Sequence, residues 1–139
     1  MSESATIVTD VTAGSATGLE PHLAAALAYL AGPFSGAIIL VAERSNRFVR
    51  FHAWQAILGL GGLGLAAVVF LFLAFAGLFL SPSAFTFFRW LAVLTTLTWL
   101  VAWGICLFKA FGGAAWKLPI AGDHAERLAL RAELLTPNS

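Results

Sequence analysis

Charge is what this sequence has least of. Only 11% of its 139 residues are Asp, Glu, Lys or Arg, while 60% are hydrophobic; a soluble domain usually carries about a quarter charged residues. A chain this short leaves much of its surface outside the core, so it cannot hide that much apolar side chain from water. Lipid, not water, is the solvent this composition fits. The net charge of +1 gives no global field for nucleic acid or an acidic substrate. Cys106 is the single cysteine, which excludes an internal disulfide and reads as an inert thiol inside an apolar run. No Lys or Arg precedes Arg44, so residues 1–19 (MSESATIVTDVTAGSATGL) lack the basic start of a secretory signal peptide and read as a disordered tail.

Catalytic patterns are also missing. There is no Ser/His/Asp elbow, no catalytic carboxylate pair and no phosphate loop. His22, His52 and His124 stand far apart in sequence, outside any familiar zinc spacing. No charged residue falls deep inside an apolar run, where a proton-coupled transporter keeps one. The expectation is a protein with no enzymatic activity, cofactor, metal or small-molecule substrate. An enzyme acting on lipid would have only His52, Gln55, Asp123 and His124 to work with.

What is present is three apolar runs, which predict an all-α integral membrane protein with one membrane domain over 20–135 and a short tail at 136–139. The spans are expected at 23–42, 56–80 and 90–108, each near the length of helix that crosses hydrocarbon. Pro21 suits the first position of the first helix. Gly32-Pro33 interrupts that span, because Pro33 cannot donate to the carbonyl of Tyr29. A kinked span is the expectation, with a re-entrant loop as its alternative. Ser81-Pro82-Ser83 marks a turn. Thr95, Thr96 and Thr98 suit bonds back to carbonyls of their own helix, and Trp99 and Trp103 share one face as packing or lipid-facing rings. Asp123 resembles an N-cap with Glu126 three residues on. The apolar stripe Ala121, Ala125, Leu128, Ala132 and Leu135 predicts an amphipathic helix over 123–135, with Asp123 placed to pair with Arg127.

Gly59, Gly61 and Gly64 match a G-x-G-x-x-G spacing, but they sit in an uncharged apolar run rather than between a strand and a helix. Close helix packing accounts better for Gly32, Gly36, Gly59, Gly61, Gly62 and Gly64. Between the first two runs lies Glu43–Gln55, ERSNRFVRFHAWQ. Its arginines alternate with bulky apolar residues, which suits a hairpin at the membrane boundary with rings at headgroup level. Arg44, Arg47, Arg50, Phe51, His52, Trp54 and Gln55, with Leu118, Pro119, Gly122 and Asp123, form the expected contact surface for lipid or a partner. Seven of the eight basic residues fall in this hairpin or after the third run. With three spans, the positive-inside rule places both regions in the cytoplasm and the N-terminus outside.

Two stretches carry a family likeness: Leu27–Gln55 with Ala56, centred on R-F-H-A-W-Q, and Lys117–Arg127, KLPIAGDHAER. Together they resemble the Tic-type chloroplast import components and their small bacterial relatives, and are similar to magnetosome membrane proteins of the MamF type. The resemblance implies an all-helical multi-span protein without known enzymatic activity. The Arg-rich, acid-poor character of a transit peptide is absent, which favours a bacterial cell-membrane member. The function expected is a scaffold or subunit of a membrane assembly that associates with itself or other membrane proteins. The alternative is a component of a protein-import-like or small-solute conduit.

Overall fold

A computed structural model describes residues 14–135, except the side chains of Ala132 and Glu133. Residues 1–13 of the expected 1–19 tail, and the whole of the expected tail at 136–139, lie outside the described residues. Within them the protein is all-helical: α1 (Pro21–Leu30), α2 (Pro33–Ala42), α3 (Arg47–Gln55), a π-helical stretch (Ala56–Leu60), α4 (Gly61–Leu80), α5 (Pro82–Phe111) and α6 (Ala121–Leu134). The run from Arg47 to Leu80 and the run from Pro82 to Phe111 are the two described helical runs long and apolar enough to cross a membrane.

The first apolar segment is not one kinked rod. Gly32 adopts φ 62° and ψ −131°, a conformation that ends a right-handed helix and that glycine reaches without a Cβ penalty. Pro33 then opens a new helix. Each half has ten residues, or about 15 Å, half of what a crossing needs. The two halves fold back on each other and pack together. Ser35 Oγ holds the reversal by accepting from the Ala31 N–H and donating to the Ala28 carbonyl, both at 2.9 Å. As a result the two ends of the segment meet. The Ala16 N–H donates to Glu43 Oε2 at 2.9 Å, and Ser15 Oγ donates to the same oxygen. A single crossing over 23–42 would hold those residues about 30 Å apart. The same bonds tie residues 15 and 16 to the fold.

The Glu43–Gln55 stretch is also helical where a boundary hairpin was expected. Asn46 caps α3, its Oδ1 accepting from the Val49 N–H at 3.2 Å. Arg47, Arg50 and Trp54 then fall at i, i+3 and i+7 on one half-exposed face, and Phe48, Val49, Phe51, His52, Ala53 and Gln55 are buried. The alternation of arginines and rings is thus helical periodicity. The rings of Phe48 and Phe51 fill the core instead of lying among headgroups.

α3 passes through the π stretch directly into α4. The Leu60 carbonyl, at the end of that stretch, accepts from Trp99 Nε1 at 2.8 Å. α4 and α5 form an antiparallel hairpin around Ser81, whose hydroxyl caps α5. Gly77 makes that turn possible, since a Cβ there would stand 2.8 Å from the Phe85 nitrogen. Little of the hairpin is covered: Ala74 and Gly77 are the buried residues of α4, while Phe72, Phe79 and Leu80 are more than 70% exposed. α1 is the opposite case, packed between α2, α3 and the lower half of α5, with Ala24, Ala25, Ala28 and Tyr29 fully buried. The helix expected over 123–135 starts at Ala121, so Asp123 lies in its first turn rather than at the cap.

The glycines divide sharply. A Cβ at Gly36 would meet the Ala53 carbonyl oxygen and Ala56 Cβ at 3.0 Å, and one at Gly59 would meet Leu118 Cδ1 at 2.6 Å. Gly61 approaches Pro33, and Gly32 and Gly64 approach Trp99, at ordinary contact or slightly closer. Gly62 has nothing within 4 Å and belongs to no close crossing. Gly36→Leu should therefore destabilise the protein by about 1–3 kcal/mol through overpacking. Gly62→Ala should stabilise by up to about 1 kcal/mol through helix propensity. Thermal unfolding of the two variants in one mild detergent checks the contrast.

Glu43 generates a pH prediction. It is fully buried; Oε1 accepts from the N–H and hydroxyl of Ser45 and from the Asn46 N–H at 2.9–3.0 Å. Burial pushes the Glu43 carboxyl up, but the bonds from Ser15, Asn46 and Ser45 outweigh it and hold the group below its ordinary value. A depressed carboxylate stabilises the fold above its unfolded pKa and loses that contribution as pH falls through the folded one. Thermal stability should accordingly fall as pH drops below about 4.5, and Glu43→Gln should flatten that limb and lower the neutral plateau by about 1.5–3 kcal/mol.

Candidate site: a buried polar cluster and an apolar groove

The R-F-H-A-W-Q stretch delivers two polar side chains into the interior. Gln55 is fully buried and His52 is 1% exposed. Both lie on the inner face of α3, against Tyr29 of α1, Cys106 of α5 and the 112–120 connector. The Leu118 N–H donates to Gln55 Oε1 at 3.1 Å. That bond fixes which end of the carboxamide is oxygen. Gln55 Nε2 then donates to the Trp116 carbonyl at 3.0 Å and to Tyr29 Oη at 3.1 Å, with Cys106 Sγ at 3.8 Å. Tyr29 Oη in turn lies 2.9 Å from His52 Nδ1, and the direction of that bond follows the imidazole tautomer. His52 Nε2 faces the Ala114 carbonyl without a hydrogen bond of ordinary geometry. Edge contacts from Tyr29, Phe48 and Phe51, with ring centroids 4.5–5.6 Å away, enclose the ring.

Two tryptophans complete the seam. Trp103 Nε1 donates to the Tyr29 carbonyl at 2.8 Å, in the last turn of α1, where the Gly32 N–H also donates to it at 2.9 Å. Trp99 does the same for Leu60, and the two indoles lie parallel with centroids 6.4 Å apart. The three threonines of α5 do bond back to carbonyls four residues earlier, each at 2.8 Å.

The expected contact surface separates into two groups. Phe51, His52, Gln55, Leu118 and Gly122 are buried, with Gly122 pressed against Lys117 and Gln55 Oε1. Arg44, Pro119 and Asp123 are exposed; Arg47, Arg50 and Trp54 are half-buried. Arg50 Nη1 donates to the Glu43 carbonyl at 2.9 Å. Trp54 Nε1 is buried with no partner among the described residues. Asp123 stands 3.8 Å from Lys117 Nζ, which also binds Glu126, so Asp123 does not make the expected pair with Arg127. His124 Nδ1 lies 2.9 Å from the Ile120 carbonyl. The lipid-enzyme candidates are thus dispersed, with His52 sealed in the core and His124 exposed on α6. Among the described residues no group of three His, Cys, Asp or Glu side chains converges.

Sequence reasoning missed Tyr29, Glu43, Trp103 and Trp116 as members of these networks. The available signal was Tyr29 itself, the one tyrosine of the chain, since a phenol in an apolar helix needs a hydrogen-bond partner. Outside the cluster, a groove of about 820 Å3 runs between the π stretch and α4 on one wall, α5 on another and α6 on the third.

Replacing Gln55 by Leu removes the donor to Trp116 and Tyr29 and the acceptor for Leu118 at once. A loss of about 2–4 kcal/mol is expected, read as a fall in melting temperature in detergent, while Arg44→Gln on the exposed turn should change it little.

The chain is 32% identical over 110 residues to a UPF0132 membrane protein of Methanocaldococcus jannaschii, covering 79% of this chain and 89% of that one. It is 32% identical over 109 residues to a UPF0132 membrane protein of Archaeoglobus fulgidus, covering 78% and 95%. A second M. jannaschii UPF0132 membrane protein is 33% identical, over 81% of this chain and 72% of its own length. No family model and no solved structure matches the chain.

Proposed function

The chain belongs to the UPF0132 family of membrane proteins, and on that footing we propose that it is a non-enzymatic subunit or scaffold of a membrane assembly. The observation that carries this reading is how the polar groups are used. Gln55, His52, Tyr29, Trp99 and Trp103 are spent on internal hydrogen bonds that lock the folded-back helix pair against α3 and α5. Little is left over to perform chemistry or to line a polar path. What the fold offers outward is the apolar flank of the α4–α5 hairpin and a cationic region on α3 and α6, surfaces suited to lipid and to other membrane helices.

In this reading α4 and α5 cross the bilayer of the cell membrane, and α1–α2 is a re-entrant helical pair. Its apex reaches the level of Gly61 and Trp99, which pack on Pro33 and Gly32. Irregular backbone is tolerated at such depth when protein covers it, as Trp99 and Pro33 do here. The arginines of 44–50 and the basic residues after α5 lie at one end, cytoplasmic by the positive-inside rule. Because Ala16 bonds to Glu43, the N-terminal flank belongs to that same side, which replaces the outside placement expected from three crossings. The resemblance to Tic-type import components and MamF-type proteins supports a role within an assembly. The broken first segment keeps a conduit as the second reading, for which a polar seam would have to arise between copies.

Reporter fusions at both termini should place both in the cytoplasm; an external N-terminus would restore a third crossing. Crosslinking in native membranes from positions on the exposed α4–α5 flank should trap a second copy or a neighbouring membrane protein. A monomer alone would overturn the scaffold reading, and ion or solute flux through reconstituted protein would favour the conduit.

A further inference from the structure

The groove beside α6 has two unlike borders. Its walls are apolar and open: Leu58, Gly62, Leu63, Ala102 and Leu128 line it, and at Gly62 the space beyond the backbone is empty to 4 Å. Along α6 the border is cationic, with Arg127 and Arg131 one turn apart and His124 beside them. The nearby carboxylates do not neutralise these arginines. Asp123 and Glu126 both turn to Lys117, and neither arginine has an ion pair among the described residues. A volume of about 820 Å3 falls within the range of about 300–1,000 Å3 typical of ligand clefts. The groove also lies at the arginine-bearing end of the molecule, since Leu118, immediately before α6, is bonded to Gln55 of α3.

From this combination we propose that the groove is a binding site for one anionic phospholipid. An acyl chain lies over Gly62, Leu63 and Ala102, and the phosphate is held by Arg127 and Arg131. Guanidinium groups bind phosphate oxygens in bidentate geometry, so two of them one helical turn apart make a directed site rather than a diffuse field. The hydrocarbon half and the charged half of the groove fit the two halves of one amphiphile. A soluble phosphate compound would leave the apolar walls bare, and an uncharged lipid would leave two guanidinium groups unmatched. The site rests on the bilayer placement proposed above, with α6 at the cytoplasmic boundary.

The test uses full-length protein in a neutral detergent, exchanged with palmitoyl-oleoyl phosphatidylglycerol or phosphatidylcholine, with retained lipid counted by native mass spectrometry. Phosphatidylglycerol should be retained in preference, by roughly fivefold for each arginine that meets the headgroup. R127Q with R131Q should bring that preference close to unity while leaving weak retention of both lipids. Gly62→Leu fills the groove from a position where the fold has room, so it should lower retention of both lipids without lowering the melting temperature. Equal retention of the two lipids by the unmodified protein, or full retention by Gly62→Leu, would overturn the site. Either result would leave the membrane placement intact, because that is read separately from the terminal reporters. Competition by inorganic phosphate alone, with no dependence on the acyl chain, would assign the arginines to a soluble anion and likewise overturn it. A bound peptide recovered in the groove in place of lipid would do the same.

Discussion

One carboxamide sets the arrangement of the lower half of this protein. Gln55 touches α1 through Tyr29, α5 through Cys106 and the connector through Trp116 and Leu118. In a dry interior each polar group must find a partner or destabilise the fold by several kcal/mol. Gln is suited to the task because it presents donors and acceptor on a short, uncharged arm. Its orientation, fixed by the Leu118 N–H, sends its donors to Trp116 and Tyr29, and Tyr29 in turn meets the imidazole of His52. This one side chain satisfies the Trp116 carbonyl and the Leu118 N–H of the connector, while Ser35, Glu43, Trp99 and Trp103 serve the other breaks in helix.

A second constraint acts where α2 ends. Glu43 closes the α2–α3 turn and gathers the N-terminal flank with a single carboxylate, one oxygen to each side. Its charge is tolerated in a buried position because several donors point at it, the ordinary condition for burying an ion. Together Gln55 and Glu43 turn a segment of hydrophobicity fit for a crossing into a folded-back pair. Tertiary bonds, more than hydropathy, decide the path of that segment.

This explains what could be read from the sequence and what could not. The helical class, the turn at Ser81, the break at Gly32-Pro33 and the back-bonded threonines follow from local rules about apolar runs, proline and hydroxyls. The direction of the chain after Gly32 does not, because a glycine between two apolar halves permits either a kink or a reversal. The choice is made by Ser15, Ala16 and Glu43, well separated in sequence. The Arg/Phe alternation of α3 was ambiguous for a similar reason: nine residues hold too few turns for a headgroup pattern to be told from a helix with one buried face. Gly59 and Gly62 look alike in sequence, yet one touches Leu118 and the other opens the groove, a difference that depends on where the connector lies. In the candidate contact surface, the residue types were informative about burial only once the partners of His52 and Gln55 were known.

The reversal at Gly32 also bears on biogenesis. Gln55 meets Trp116 across 61 positions, and Trp103 meets the Tyr29 carbonyl across 74. A ribosome delivers the folded-back pair, with Ser35 and Glu43 to hold its reversal, well before it makes the residues that fasten it to α5 and the connector. During that interval Tyr29, His52 and Gln55 have one another as partners, while Trp103, Trp116 and Leu118 are still unsynthesised. Until the chain beyond Phe111 emerges, the early segments lack every bond that ties them to the connector.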